Sequence, residues 1–335
     1  MLSLVVIAVL VLGVVYGARA IWNRAGSVPD YSGAGTGSVL VTVKDGDTAS
    51  DIAETLQNAG VVKSSRAFRD AAQDDSRSRG IQPGTYRLRH KMSGSAALTL
   101  MLDPASRAGR VTVPEGLTVK QVLALVADKT KIPLKDLQAA AARPADLGLP
   151  DFAGGKLEGY LFPSTYDVPE SMTATALLKA MVDRFKKEVD SSTLTLSAGG
   201  QKLGPAQIII VASLLEKEGI TTDFTKIARV VYNRLDQGMP LQFDSTINYA
   251  LGRNQARVSQ EQTQIDSPYN TYANTGLPPG AIANPGLEAI SAALHPATGD
   301  WIYFIKKDRQ GNSFFTADHD AFLRQKEKSQ AEGVY

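Results

Sequence analysis

The chain has no cysteine, three histidines, two tryptophans and almost no net charge over 335 residues. Each scarcity removes a class of chemistry. Without cysteine there is no disulfide, no thiolate metal ligand and no cysteine nucleophile. His90, His295 and His319 offer no i, i+4 pair of the kind a zinc-protease helix needs, and so few imidazoles make a Ser-His-Asp hydrolase a poor expectation. A formal charge of +2, from 36 basic and 34 acidic residues, lacks the basic surplus on which nucleic-acid binding depends. What remains, 43 % hydrophobic and 21 % charged, is the composition of a folded globular protein with room for about two domains. No metal or cofactor is expected.

The first feature present is an apolar run. Met1 to Ala18 carries no charged side chain, and about 20 such residues cross a hydrocarbon core at 1.5 Å per residue. Residues 1–22 read as an uncleaved transmembrane anchor, with Trp22 at the interface, in preference to a signal peptide cut near Ala18-Arg19-Ala20. Arg19 and Arg24 follow the run and nothing basic precedes it, which by itself would place the bulk of the chain inside. A start codon set too late, at the expense of a short basic tail, would reconcile this with a bulk outside. Residues 23–38, rich in Gly and Ser from Ala25 to Ser38, read as a flexible linker.

Two stretches then resemble each other at an offset of 70 residues: VTVKDGDTASDIAETL from Val41 and VTVPEGLTVKQVLALV from Val111. Each reads as a strand, an acidic-Gly turn, a Thr cap and an apolar helix face. Gly84 to Leu88 adds a strand and Ser93 to Leu102 a helix, so residues 39–150 are expected to form a small α+β domain. The pattern resembles the LysM-type glycan-binding module, which implies a sugar-binding or spacing role. Residues 151–335 are expected to be a second, mixed α+β domain, with helices at Ala174–Val189, Pro205–Glu218 and Asp223–Asp236.

The helix Pro205–Glu218 draws the chemical argument. Pro205 suits a first turn and Gly219 a stop, and from Ala206 to Leu215 only Gln207 and Ser213 are polar. Two carboxylates at the end of a buried helix are out of keeping with it. Glu218 lies over Leu214 and Leu215 and extends the apolar face, whereas Glu216 lies over Ala212 and Ser213. Desolvation and the negative end of the helix dipole both raise a carboxyl pKa, which makes Glu218 the candidate general acid and Glu216 the alternative. Downstream, VVYNRLDQG, LQFDSTINYALG and SPYNTYANTGLPPGAIANPG concentrate amides, hydroxyls and aromatic rings that suit a sugar chain.

Taken together, VASLLEKEG, VVYNRL, MPLQFDSTINYALG, SPYNTY, TGLPPGAIANPG and AALHPA, with LEGYLFPSTY before them, are similar to the successive motifs of the YceG-like family of endolytic murein transglycosylases. The resemblance runs from about residue 39 to the end. It implies an enzyme of the bacterial inner membrane, single-pass, with its catalytic bulk on the outer, periplasmic face. Such an enzyme cleaves MurNAc-GlcNAc bonds of nascent peptidoglycan strands to leave 1,6-anhydro-MurNAc ends and so terminates glycan elongation. Glycan strands are the implied partner, with penicillin-binding proteins and the wall-synthesis machinery beside them. The second Glu of E-K-E, Glu218, takes the family's catalytic place, and Gly219 stands where many members have Thr or Ala. Asn233, Gln242, Asp244, Tyr269, Asn270 and Tyr272 are the expected glycan contacts. Two alternatives stay open: a lysozyme-like muramidase using Glu218 with Asp244, and a non-catalytic, membrane-anchored wall-binding protein.

Overall fold

The computed structural model describes residues 28–169, 172–189, 194, 203–253, 255 and 257–334. The expected anchor, residues 1–22, lies outside the described residues, and among those described no helix is long and apolar enough to cross a membrane. The described chain is mixed α+β and divides into two compact units between Gly109 and Arg110.

The first unit holds β1 (Ala34–Val43), α1 (Ala49–Asn58), α2 (Ser65–Asp74), β2 (Gly84–Met92) and α3 (Gly94–Leu102). β1 and β2 pair antiparallel, with Val41 opposite Tyr86 and Val39 opposite Leu88. The period-two alternation sends Val41 and Val43 inward, where they meet Ile52, Leu56, Phe68, Leu88 and Met101 in one core. Thr48 starts α1 as read from the sequence: its hydroxyl accepts from the Asp51 N–H, and the Asp51 carboxylate accepts from the Thr48 N–H.

The linker expected over residues 23–38 ends earlier than its composition implies. β1 begins at Ala34, with Ala34 opposite Met92 and Thr36 opposite His90. Gly35, at φ +71°, lies so close to β2 that a Cβ there would run into the His90 carbonyl and the Met92 side chain. A glycine that reads as flexibility is here required by close backbone approach.

The second unit opens with β3 (Arg110–Val113), α4 (Val119–Lys129), α5 (Leu134–Ala141), β4 (Ser164–Asp167) and α6 (Ala174–Glu188). The boundary is therefore not at residue 150, and the second strand-turn-helix repeat belongs to the C-terminal unit. The reason is packing. β3 pairs antiparallel with β4, and Val111, Val113, Val122 and Val126 share a core with Leu161, Tyr166, Leu177 and Met181.

α7 (Pro205–Glu218) and α8 (Phe224–Asp236) come next, then α9 (Asp244–Ala250), α10 (Leu287–Leu294), the hairpin β5 (Tyr303–Lys306) with β6 (Ser313–Thr316), and α11 (His319–Ala331). Every residue of α7 from Ile208 to Leu215 is buried, and full burial of each Leu, Ile or Val contributes roughly 1.5–3 kcal/mol. The polar exception, Ser213, is satisfied: its hydroxyl donates to the Ile210 carbonyl at 2.7 Å and accepts from the Ile282 N–H at 3.0 Å. That second bond fastens the 276–286 loop to the helix that carries Glu218.

Candidate active site

Helix α7 ends at Glu218, and Gly219 continues in extended backbone at φ −144°. Ile227 Cδ1 from α8 occupies the position that a Cβ at residue 219 would take. An apolar side chain from the next helix thus fills the room left by the glycine.

Glu218 faces a cleft of about 750 Å³ lined also by Gln242, Asp244, Ser245, Tyr249, Tyr272, Tyr303 and Lys306. The Ser245 hydroxyl donates to Glu218 Oε1, and the Ser245 N–H, one of the unpaired amides of the first turn of α9, approaches the same oxygen at 3.4 Å. Burial pushes the Glu218 carboxyl up to about 7; the hydrogen bonds from Ser245 oppose this, and the negative charge of Asp244 adds to it. Asp244 itself accepts from the Tyr272 hydroxyl at 2.5 Å. The site therefore offers an acid able to hold a proton near neutral pH, a second carboxylate, and hydroxyl donors along one wall.

Glu216 is pushed to about 7 as well, by burial first and then by Glu115 and Glu288. Its surroundings differ. Glu216 Oε1 accepts from the Gly286 N–H at 2.8 Å, at the start of α10, and Glu216 is not among the residues lining the cleft. Access to the cleft distinguishes the two glutamates, whereas proton affinity does not.

Of the six expected contacts, Gln242, Asp244 and Tyr272 line the cleft. Asn233 does not: its amide donates to the Gly299 and Trp301 carbonyls and holds the approach to β5. Asn270 is fully buried, donating to the Thr263 and Ile265 carbonyls and accepting from the Tyr272 and Ala273 N–H groups. Both are corrected to structural roles, because a polar loop must satisfy its own backbone before it can present groups to a ligand. Tyr269 packs its ring against Tyr249 at 4.9 Å and lies outside the lining. Gln242 adopts φ +57°, a left-handed conformation held by its N–H bond to the Thr271 carbonyl at 3.0 Å.

Two roles escaped the sequence reading, that of Ser245, seen there only as one hydroxyl of a polar run, and that of Glu158. Ser245 is the direct neighbour of Asp244, and its importance rests on contact with a helix 27 positions earlier. Glu158 is a lone acid inside the apolar LEGYLFP segment, which was the available signal. It accepts from the Val119 N–H at 2.9 Å, the Asn284 amide at 3.2 Å and the Tyr249 hydroxyl at 3.3 Å, and burial raises it to about 7. Asn284 in turn accepts from the Gly159 and Leu161 N–H groups. This buried knot joins the start of α4, the LEGYLFP segment and the 276–286 loop behind the cleft wall.

A cleft-bearing α+β protein with a buried acid at a helix terminus is the class that fold and site define. The model of the YceG-like family matches residues 41–328, and the chain belongs to that family. A Bacillus subtilis (strain 168) protein named endolytic murein transglycosylase is 35 % identical over 308 residues, covering 87 % of this chain and 84 % of its own. A Streptococcus pneumoniae (serotype 2, strain D39) protein of the same name is 32 % identical over 321 residues; the match covers 84 % of this chain and 57 % of that longer protein. The crystal structure of a yceG-like protein from Listeria monocytogenes superposes with a TM-score of 0.59 at 27 % identity, covering 86 % of this chain and 99 % of the other.

Proposed function

We propose that this protein is an endolytic peptidoglycan lytic transglycosylase with Glu218 as its single acid-base residue. The observation that carries the reading is Glu218 itself: a carboxyl pushed to about 7, held by Ser245, and open to a cleft large enough for several groups of a glycan. The names of the Bacillus and Streptococcus relatives support it. Protonated Glu218 donates to the bridging oxygen between MurNAc and GlcNAc, and the C1–O bond breaks as C1 gains oxocarbenium character, assisted by the substrate's N-acetyl group. The carboxylate then takes the proton from the C6 hydroxyl of the same sugar, whose oxygen attacks C1 and closes the 1,6-anhydro ring. No water is consumed and the proton count balances. Gln242, Asp244 and Tyr272 serve as glycan contacts, with the Tyr272–Asp244 pair fixing the electrostatics beside the acid.

The wider reading places residues 1–22 as a membrane anchor, the catalytic unit on the outer face of the inner membrane, and the first unit as a LysM-like module that holds or spaces the glycan. The apolar run and the resemblance of the repeats support it. Penicillin-binding proteins working on the same strands are the corresponding partners.

Mass spectrometry of uncrosslinked strands incubated with the full chain, beside Glu218→Gln, tests this. Products ending in 1,6-anhydro-MurNAc from the unsubstituted chain alone are expected. Hydrolytic ends would instead establish a two-carboxylate muramidase using Asp244, and intact strands at every protein concentration a wall-binding protein.

A further inference from the structure

One wall of the cleft is built by the C-terminal hairpin and helix. Tyr303 on β5 and His319 and Phe322 on α11 gather there, with ring centroids 5.2 Å apart for Tyr303–Phe322, 5.3 Å for Tyr303–His319 and 6.3 Å for His319–Phe322. Tyr303 and Phe322 are tilted by only 27° from parallel, and His319 and Phe322 by 28°. All three line the same cleft as Glu218.

The apolar cores do not account for this cluster. On the same hairpin Phe304 and Phe315 pack against the main core, yet Tyr303 and Phe322 stay partly exposed and His319 is exposed. The neighbouring Leu323, also in the cleft wall, is 39 % exposed, and α11 buries Ser329 rather than any apolar side chain. Leaving several flat rings half in water forgoes apolar burial, and on a cleft wall such rings present broad apolar faces with polar edges. Tyr303 is also braced: the Arg234 guanidinium sits 5.5 Å from its ring centre and is itself held by the Ile302 and Leu241 carbonyls at 2.6 and 2.7 Å. Lys306 and Lys326 line the same wall and suit a ligand carrying carboxylates.

We propose that Tyr303, His319 and Phe322 form a second sugar-binding subsite, apart from the bond-breaking position, which stacks the C–H face of a pyranose ring of the strand. The proposal rests on the glycan reading above and deepens it. A ledge of rings that grips a sugar other than the one at the scissile bond favours strands long enough to fill both positions over strands that fill only one.

The test uses the full chain with purified uncrosslinked strands of two lengths, a tetrasaccharide and a decasaccharide. Phe322→Ala is expected to lower kcat/KM for the decasaccharide on the order of tenfold, the effect of removing one aromatic anchor, and to change the tetrasaccharide value by less than about twofold. Phe322→Trp should restore the preference and add a fluorescence signal that shifts when the decasaccharide is added to a Glu218→Gln background. Equal loss on both lengths, no loss on either, or an unshifted fluorescence difference against unsubstituted Phe322 overturns the ledge. A chain that cuts neither length overturns the catalytic reading alone, since the fluorescence shift still decides whether the ledge holds sugar.

Discussion

The two copies of one sequence pattern sit in different units and do different things. In both, a strand leads through a turn glycine to a Thr-capped helix: Gly46 at φ +84° then Thr48, and Gly116 at φ +74° then Thr118. In the first copy the turn is open, with nothing within 4 Å of a Cβ built on Gly46, and the cap residues are exposed. In the second, the Gly116 N–H donates to the Asn284 carbonyl at 2.9 Å and its carbonyl accepts from Lys217 at 3.3 Å, beside the helix end that carries Glu218. Thr118 and Gln121 line the cleft, and the Val119 N–H is bonded by Glu158. Local sequence makes the same element twice; what packs against the element decides whether it becomes part of a site.

The comparison can be broken at its strongest point first. Glu218→Gln should lower turnover by about 10²- to 10⁴-fold, the usual cost of losing a general acid, while glycan retention by the chain persists. Cleavage assays with a parallel pull-down on insoluble peptidoglycan check this, and retained cleavage would remove Glu218 from the reaction. Glu216→Gln should leave most of the activity, since its carboxylate serves the start of α10 rather than the cleft.

The paired glycines come next. Alanine at either position enters a left-handed conformation at a cost of about 1–2 kcal/mol, readable as a lowered denaturation midpoint. Gly46→Ala should do only that, whereas Gly116→Ala should also reduce kcat, because relaxing the turn pulls on Lys217 next to Glu218. Equal kinetics in the two variants would contradict the assigned difference. The caps give a smaller version: Thr48→Ala and Thr118→Ala should each cost about 1 kcal/mol, with a kinetic change in the second alone.

Acidity sharpens the contrast further. Because burial raises Glu218 to about 7, its folded form holds a proton that the unfolded chain releases near the ordinary value of 4.5. Its contribution to stability is therefore complete below about 4.5, declines as pH rises toward about 7, and is level above that. Activity should fall as pH rises through about 7, and a pH-rate profile lacking that limb would reassign the acid. The first cap behaves in the opposite sense. The Thr48 hydrogen bonds hold Asp51 below its usual value, so its stabilisation is present above about 3.8 and is lost on acidification. Gln121, the matching residue of the second cap, has no proton to gain, so protection of the Thr48 amide against exchange should fall in acid while that of the Thr118 amide does not.

Much of this was readable from residues. The bounds of α7, the Thr caps and the existence of β1 and β2 as strands arise from periodicity, Pro and Gly placement, and capping chemistry, all of which act within a few positions, whereas the pairing of the two strands across α1 and α2 does not. The site was only half readable. Asp244, Gln242 and Tyr272 stood out as polar residues in a dense run, but so did Asn233 and Asn270, which the structure uses to satisfy loop backbone. Polar density marks a region that needs hydrogen bonds, without saying whether loop or ligand supplies them.

The sequence alone determined the helix that carries Glu218, the repeated strand-turn-helix elements and the family, because those rest on local geometry and on ordered motifs. Tertiary structure decided the rest: that the second repeat packs with the C-terminal unit, that Ser245 bonds Glu218 and Asp244 shares its cleft, that Glu216 turns to α10, and that three C-terminal rings share the cleft. The physical reason is range. Capping and periodicity act over one turn, whereas desolvation, a shared core and the wall of a cleft depend on residues that only folding brings together.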